Sequence, residues 1–294
     1  MIFEFIKKNK TQFPINRMCQ VLGVSQSGYF AWAKRGPSKR TKENEDLLEK
    51  IKEIFEESRQ TYGSPRIYEA LHQAGICCGR NRVARLMRLN HIRARRKRRR
   101  FPKTTQRRAG ALAAPNLLKG NFNPLWPNQA WVSDITYIDT AEGWLYLAAV
   151  MDLFARPIVG WAMEAHMETS LVEAAFKMAV QHRSPEVGWI HHSDQGSQYT
   201  SYEFRKLLLK AGCYPSNSSV GNCYDNAVME SFFSTLKTEC AYDKFESRAQ
   251  ARSVIFEYIE VWYNRKRLHS SLGYLSPVRF EQANSDIFCV HNIR

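Results

Sequence analysis

Apolar positions recur at helical spacing through the first ninety residues or so. Ile15, Met18, Cys19 and Leu22 share one face, Gly23 interrupts, and Ser25 or Ser27 offers a capping oxygen, so residues 14–34 read as two short helices hinged at Gly23. This pair is a helix-turn-helix candidate. Leu47, Leu48, Ile51, Ile54 and Phe55 line a longer helix, and Ser64 followed by Pro65 opens another that buries Ile67, Ala70 and Leu71. A third helix begins near Asn81, with Val83, Leu86 and Met87 facing inward and Arg82, Arg85 and Arg88 on the opposite side.

The pattern changes past residue 100. Residues 101–128 are rich in Pro, Gly, Ala and Asn without periodicity and read as a linker. From Trp131 the chain alternates. "AWVSDITYID", "WLYLAAVMD" and "RPIVGWAM" predict three strands, followed by a helix over "TSLVEAAFKMAVQHR". A fourth strand, "VGWIHHS", precedes the helix "YEFRKLLLKA", a short strand near "CYPSN", the helix "NAVMESFFSTLK" and a last helix, "ARSVIFEYIEVWYNR". Three meandering strands followed by alternating helix and strand make an α/β fold of the ribonuclease H type. The expected organisation is a helical region over 1–100, a linker over 101–128 and an α/β domain over 129–294.

Charge sharpens the picture. The net charge is +15, and the stretch 80–108 carries fourteen Lys or Arg and no acid. Arg95, Arg96, Lys97, Arg98, Arg99 and Arg100 fall in the run "RARRKRRR" directly after the third helix. A basic helix face is often only a solvated one, but joined to that run it points to nucleic-acid backbone. The seven cysteines contain no CxxC pair, which argues against a disulfide framework or zinc site and suits a reducing cytoplasm. The longest apolar run, "WLYLAAVM", is too short to cross a bilayer, and "MIFEFIKKNKTQF" lacks the apolar core of a signal peptide, so no membrane partner is expected.

Three carboxylates carry the candidate chemistry. Asp134 sits inside a strand among Val132, Ile135 and Ile138, where a charge is costly without a partner. Asp194 follows the strand "VGWIHHS" at its carboxyl end, where open α/β sheets place ligands, and Gly196 permits a sharp turn. Glu230 lies on a helix expected to pack back onto the sheet. Each has a plain alternative: a helix cap, a solvated helix residue, an acceptor for loop amides. Converging, they suit hard divalent cations, two Mg²⁺ or Mn²⁺ ions that leave room for phosphate oxygens in phosphodiester cleavage or transfer. Asp152 is a rival ligand with Arg156 as a nearby salt-bridge partner. Asp225 suits a cap for the following helix. His191 and His192 could position water or phosphate, although a packed structural role is the simpler reading.

Thirty-five residues separate Asp194 from Glu230, and Lys237 stands seven beyond. This set, with "PNQAWVSDITYI", "HHSDQGSQYTS", "GNCYDNAVMESFFSTLK" and "YNRKRLHSSLGYLSP", resembles the integrase catalytic core of retroviral integrases and of OrfB, the catalytic subunit of two-frame bacterial insertion elements of the IS-three group. The resemblance implies a DDE transposase in which Asp134, Asp194 and Glu230 hold two metal ions. A 3′ end of the element is cut, and its hydroxyl attacks another phosphodiester. It also implies that Lys237, two turns from Glu230 on the same helix face, contacts terminal DNA. The implied partners are double-stranded DNA, both element ends and target, a second copy of the chain in a homo-oligomer, and an upstream OrfA product as partner or fusion, all in the bacterial cytoplasm at the nucleoid. The tail residues Arg265, Lys266, Arg267 and His269 are expected to grip DNA. "SNSSV" at 216–220 departs from the basic residues the group carries before "GNC". A nuclease of the same fold and a catalytically silent DNA-binding regulator are the rival readings.

Overall fold

The computed structural model describes residues 2–36, 38–95, 114–219 and 226–289. The basic residues Arg96, Lys97, Arg98, Arg99 and Arg100, and Asp225, lie outside them. Helices α1 (Ile2–Asn9), α2 (Ile15–Val21) and α3 (Gln26–Lys34) enclose a small core of Ile6, Met18, Cys19 and Tyr29. Ser25 is the cap that opens α3, its Oγ accepting the Gly28 N–H at 3.1 Å.

Helices α4 (Lys39–Glu57), α5 (Ser64–Gln73) and α6 (Arg80–Leu89) bury the residues the periodicity picks out, including Leu47, Ile51, Ile67, Leu71, Val83, Leu86 and Met87. These side chains belong to the same apolar cluster as the α/β part, not to the N-terminal one. Hydrogen bonds reinforce the junction. Leu268 N–H donates to the Tyr62 hydroxyl at 2.7 Å, Arg66 Nε to the Leu268 carbonyl at 3.1 Å, and Gln73 Nε2 to the Tyr274 carbonyl at 2.8 Å.

The sheet has five strands in the order β3-β2-β1-β4-β5. β1 (Ala130–Thr140), β2 (Gly143–Asp152) and β3 (Ile158–Glu164) form the antiparallel meander, while β4 (Ile190–Ser193) and β5 (Tyr214–Asn217) add parallel to the other side of β1. Helices α7 (Thr169–Arg183) and α8 (Tyr202–Lys210) cover one face with Phe176, Phe204 and Leu208. Helix α9 (Ala227–Glu239), α10 (Arg248–Glu257) and the π-helical turn Tyr258–Tyr263 that continues it cover the other with Phe232, Leu236, Ile255 and Tyr258. Alternation along β1 therefore sends Val132 and Ile138 toward α9 and Trp131 toward α7.

Two stretches differ from expectation. Residues 114–128, read from composition as linker, are docked on the sheet. Ala114 N–H donates to Asn217 Oδ1 and Leu117 N–H to Ser216 Oγ, at 2.8 and 2.9 Å, and Asn128 N–H reaches Asp152. Asn and Pro break periodicity here because the segment satisfies its amides on strand side chains. The second is α11 (Pro277–Cys289), which follows the helix expected to be last. Ser276 and Pro277 mark its start. Among the described residues no helix is long and apolar enough to cross a membrane.

Candidate active site

β1 and β4 run parallel and in register up to Ser133 and Ser193. Asp134 and Asp194 are the next residue on each, so the two carboxylates emerge side by side where adjacent strands lie roughly 4.8 Å apart. Asp194 turns the chain: its Oδ1 accepts the Gly196 N–H at 2.9 Å. A Cβ at position 196 would lie 2.9 Å from that same oxygen, so a larger residue there would push the carboxylate out of this hydrogen bond. Asp134 Oδ1 accepts the N–H of Ile135 at 2.7 Å.

Glu230 is exposed on the first turn of α9, which packs against β1 through Met229, Phe232 and Leu236. Burial, and then the like charge of Asp194, push the Asp134 carboxyl well above the ordinary carboxylate range. Glu230 adds to the rise, whereas the Ile135 N–H and Lys237 oppose it. Asp194, Glu230 and Lys237 thus each act on Asp134, on the central strand of the sheet. Lys237 is half-buried, with Nζ 4.2 Å from the centre of the Tyr137 ring; burial lowers its pKa, and the Asp134 charge only partly opposes the fall.

Among the described residues no three His, Cys, Asp or Glu side chains stand close enough together to hold a metal ion as they are placed, so the three acids do not form a ready-made ligand set. The donors nevertheless suit a hard cation. Mg²⁺ keeps several waters and takes only one or two carboxylates, and a half-buried pair of aspartates on adjacent strands that repel each other is relieved by such an ion.

The chain matches two stretches of integrase core domain, residues 125–223 and 230–284, and an HTH-like domain over residues 42–100. The HTH-like match covers α4 to α6 rather than the α2–α3 pair. The chain is 46% identical over 252 residues to the transposase for insertion sequence element IS904 of Lactococcus lactis, covering 85% of this chain and 99% of that protein. It is 39% identical over 287 residues to transposase InsF for insertion sequence IS3A of Escherichia coli, covering 97% and 99%. The chain belongs to the insertion-sequence transposases. Among solved structures, the HTLV-2 integrase catalytic core domain in complex with magnesium aligns at 15% identity and a TM-score of 0.39, covering 53% of this chain and 98% of that one.

In this transposase chain several expected site residues have structural duties instead. Asp152 is fully buried and pairs with Arg183 at 3.1 Å, not with Arg156, while accepting the N–H groups of Asn128 and Phe154. Burial lifts its carboxyl to about 6. His191 is packed among Phe176, Tyr199 and Phe204, bonded to Ser133 Oγ at 2.7 Å and driven down to about 3 by burial, so it stays neutral. His192 bonds Ser216 Oγ at 2.8 Å. Both are core residues.

Arg267 and His269 are also corrected. Arg267 is 5% exposed and grips Glu239 with Nε and NH2 at 2.8 to 3.0 Å. Glu239 in turn accepts from the Tyr258 hydroxyl and Trp262 Nε1. That network commits the Arg267 guanidinium to Glu239 rather than to the molecular surface. Arg265, Arg85, Arg88 and Arg95 are exposed, whereas Arg82 is half-buried and tied to Asn44 at 2.7 Å and Glu43 at 3.6 Å. Tyr199 was not singled out by sequence. It is buried beside the aspartates, whose charges, after burial itself, hold its phenol well above its usual range. Its position five residues after Asp194 was the available signal.

Proposed function

We propose that Asp134, Asp194 and Glu230 form the catalytic centre of a DNA strand-transfer enzyme that holds two divalent ions, Mg²⁺ or Mn²⁺. The observation that carries this reading is geometric: Asp134 and Asp194 directly follow the paired residues Ser133 and Ser193 of two neighbouring parallel strands, and the helix that carries Glu230 packs against the same strand β1. When bound, the ions would activate an attacking oxygen and stabilise the leaving one at phosphorus. Asp134 and Asp194 supply their oxygens from adjacent strand ends, and Glu230 supplies the third from α9.

The substrate is double-stranded DNA: an element end is cut at its 3′ side, and the freed hydroxyl attacks a phosphodiester of the target. Lys237, half-buried beside Asp134, neutralises a phosphate of the end duplex. Arg85 and Arg88 on α6, Arg95 and Arg265 touch the backbone further out, where contacts position DNA without reading it. Holding two ends together requires a homo-oligomer, and an OrfA product is the natural accessory partner in the cytoplasm.

Asp194→Asn tests the centre. Both 3′ cleavage and joining of a pre-cut end should fall at least a thousandfold, on the scale of losing a principal electrostatic stabiliser, while duplex affinity changes little. Unaltered turnover would sink the centre. Cleavage without joining by the wild type would instead mark a nuclease.

A further inference from the structure

Between α5, α9 and the segment after the π-helical turn lies a cavity of about 180 Å³ that the strand-transfer chemistry does not use. Its charged lining is of one sign. Arg66 comes from α5, Arg156 from the turn between β2 and β3, Arg267 and His269 from the C-terminal segment, and Ser231 and Thr235 on α9 add hydroxyls. No carboxylate lines it. Since about 10 to 15 Å³ of such space holds a water, the cavity admits a group several waters in size.

The arginines are held in place rather than paired. Arg267 has its charge answered from behind by Glu239. Arg66 donates Nε to the Leu268 carbonyl and lies over the Tyr62 ring at 5.7 Å, and among the described residues neither it nor Arg156 makes a salt bridge. Burial, and next the Arg267 charge, lower the Arg66 pKa. Arg156 has a φ of +61° and precedes Pro157, a conformation an L-residue rarely adopts. The turn keeps it there: Asp152 N–H donates to the Pro157 carbonyl at 3.1 Å, and Asn264 exchanges two 2.9 Å hydrogen bonds with Ile158.

His269 supplies the independent sign of a ligand. It is 7% exposed, and its Nε2 is buried without a hydrogen-bond partner among the described residues. A buried polar atom left without a partner is destabilising, so a group that bonds it is favoured there. Burial and the three arginines drive its pKa down to about 2, so the ring stays neutral; with the other ring nitrogen bonded to the Tyr263 backbone, Nε2 is left as an acceptor, which suits the hydroxyl of a monoprotonated phosphate.

We propose that this cavity is an oxyanion site that takes one phosphate group. Two guanidinium charges without carboxylate partners match a phosphate of about −1.5 to −2, and arginine forks bond such oxygens in pairs. The phosphate comes either from nucleic acid or from free inorganic phosphate. Two lining residues neighbour the elements of the proposed centre, although none of its three acids lines the cavity: Ser231 follows Glu230, and Met151 pairs with Val132, two residues before Asp134. The nucleic-acid source rests on the strand-transfer reading; the site itself does not.

The test uses the full chain. Inorganic phosphate is titrated calorimetrically, and the thermal midpoint is compared in phosphate and in chloride of equal ionic strength. The wild type should bind phosphate and gain midpoint. Arg156→Gln and Arg66→Gln should bind at least tenfold more weakly, Arg156→Lys should retain most of the affinity, and Lys210→Gln, exposed on α8, should match the wild type. If Arg66→Gln fails to fold, Arg156→Gln and Arg156→Lys carry the comparison. Equal response to phosphate and chloride in the wild type, or undiminished binding in Arg156→Gln, overturns the site and leaves the carboxylate centre untouched. Phosphate that weakens wild-type but not Arg156→Gln binding to a short blunt duplex identifies DNA as the source. A duplex affinity indifferent to phosphate identifies the free anion.

Discussion

Asp134 concentrates the chemistry into one side chain. Its folded-state pKa lies above the unfolded value near 3.9, so folding favours its protonated form, and the stability it allows is fully present below that value and lost as pH rises toward the folded pKa. Asp134→Asn should therefore raise the thermal midpoint of the metal-free protein at pH 8 while abolishing cleavage. Mg²⁺ should raise the wild-type midpoint more at pH 8 than at pH 5 and leave the variant unmoved; a variant less stable than wild type at pH 8 would contradict the repulsion. Arg267 and Arg265 make a second contrast. Arg267→Ala leaves Glu239 charged and buried, which costs about 3 to 5 kcal/mol in urea unfolding, whereas Arg265→Ala should keep stability and lower the slope of log affinity against log salt by about one. A reversed pattern would return Arg267 to the DNA surface. These residues also show what was legible. Asp134, Asp194 and Glu230 stood out because an acid inside an apolar strand, an acid at a strand's carboxyl end and the thirty-five-residue spacing are all written in the local sequence. The fate of Arg267 depended on an acid twenty-eight residues away, and that of Asp152 on Arg183 thirty-one away, separations that local pattern does not encode.

At the scale of elements, periodicity located nearly every helix and strand, since each buries one face. β4 is shorter than its apolar run because it pairs only where β1 and β5 flank it. α11 escaped notice because "PVRFEQANSDIFC" has a weak apolar stripe and borrows its position from contacts such as Phe154 with Phe280 and Arg183 with Glu281. The tightest seam lies between β3 and α7. A Cβ at Gly160 would sit 2.2 Å from the Ala175 carbonyl and 2.6 Å from Ala179 N, backbone atoms that cannot give way. Gly160→Ala should lower the urea midpoint by an amount equivalent to about 1 to 3 kcal/mol with the slope unchanged. An unaltered midpoint would show that α7 can shift away from the sheet.

The whole molecule divides differently from the composition. The core that contains Phe232, Tyr258 and Trp262 also contains Leu47, Ile67 and Val83, while α1 to α3 have a core of their own. A chain beginning at residue 38 should therefore keep the main cooperative unfolding transition of the full protein. One beginning at residue 101 should lose it, because each exposed core side chain removes about 1.5 to 3 kcal/mol of burial. Circular dichroism of the two truncations decides the matter: a cooperative, equally stable shorter chain would place the boundary at residue 100 after all.

Sequence alone determined the kinds and order of the elements, the concentration of positive charge and the three acids with their spacing, since each is written in residue type and period. Only the tertiary structure decided that α4 to α6 complete the catalytic core, that Arg267 serves Glu239, and that Arg66, Arg156 and His269 surround one cavity. Those outcomes depend on which distant surfaces exclude water from each other, a property of packing that no window along the chain contains.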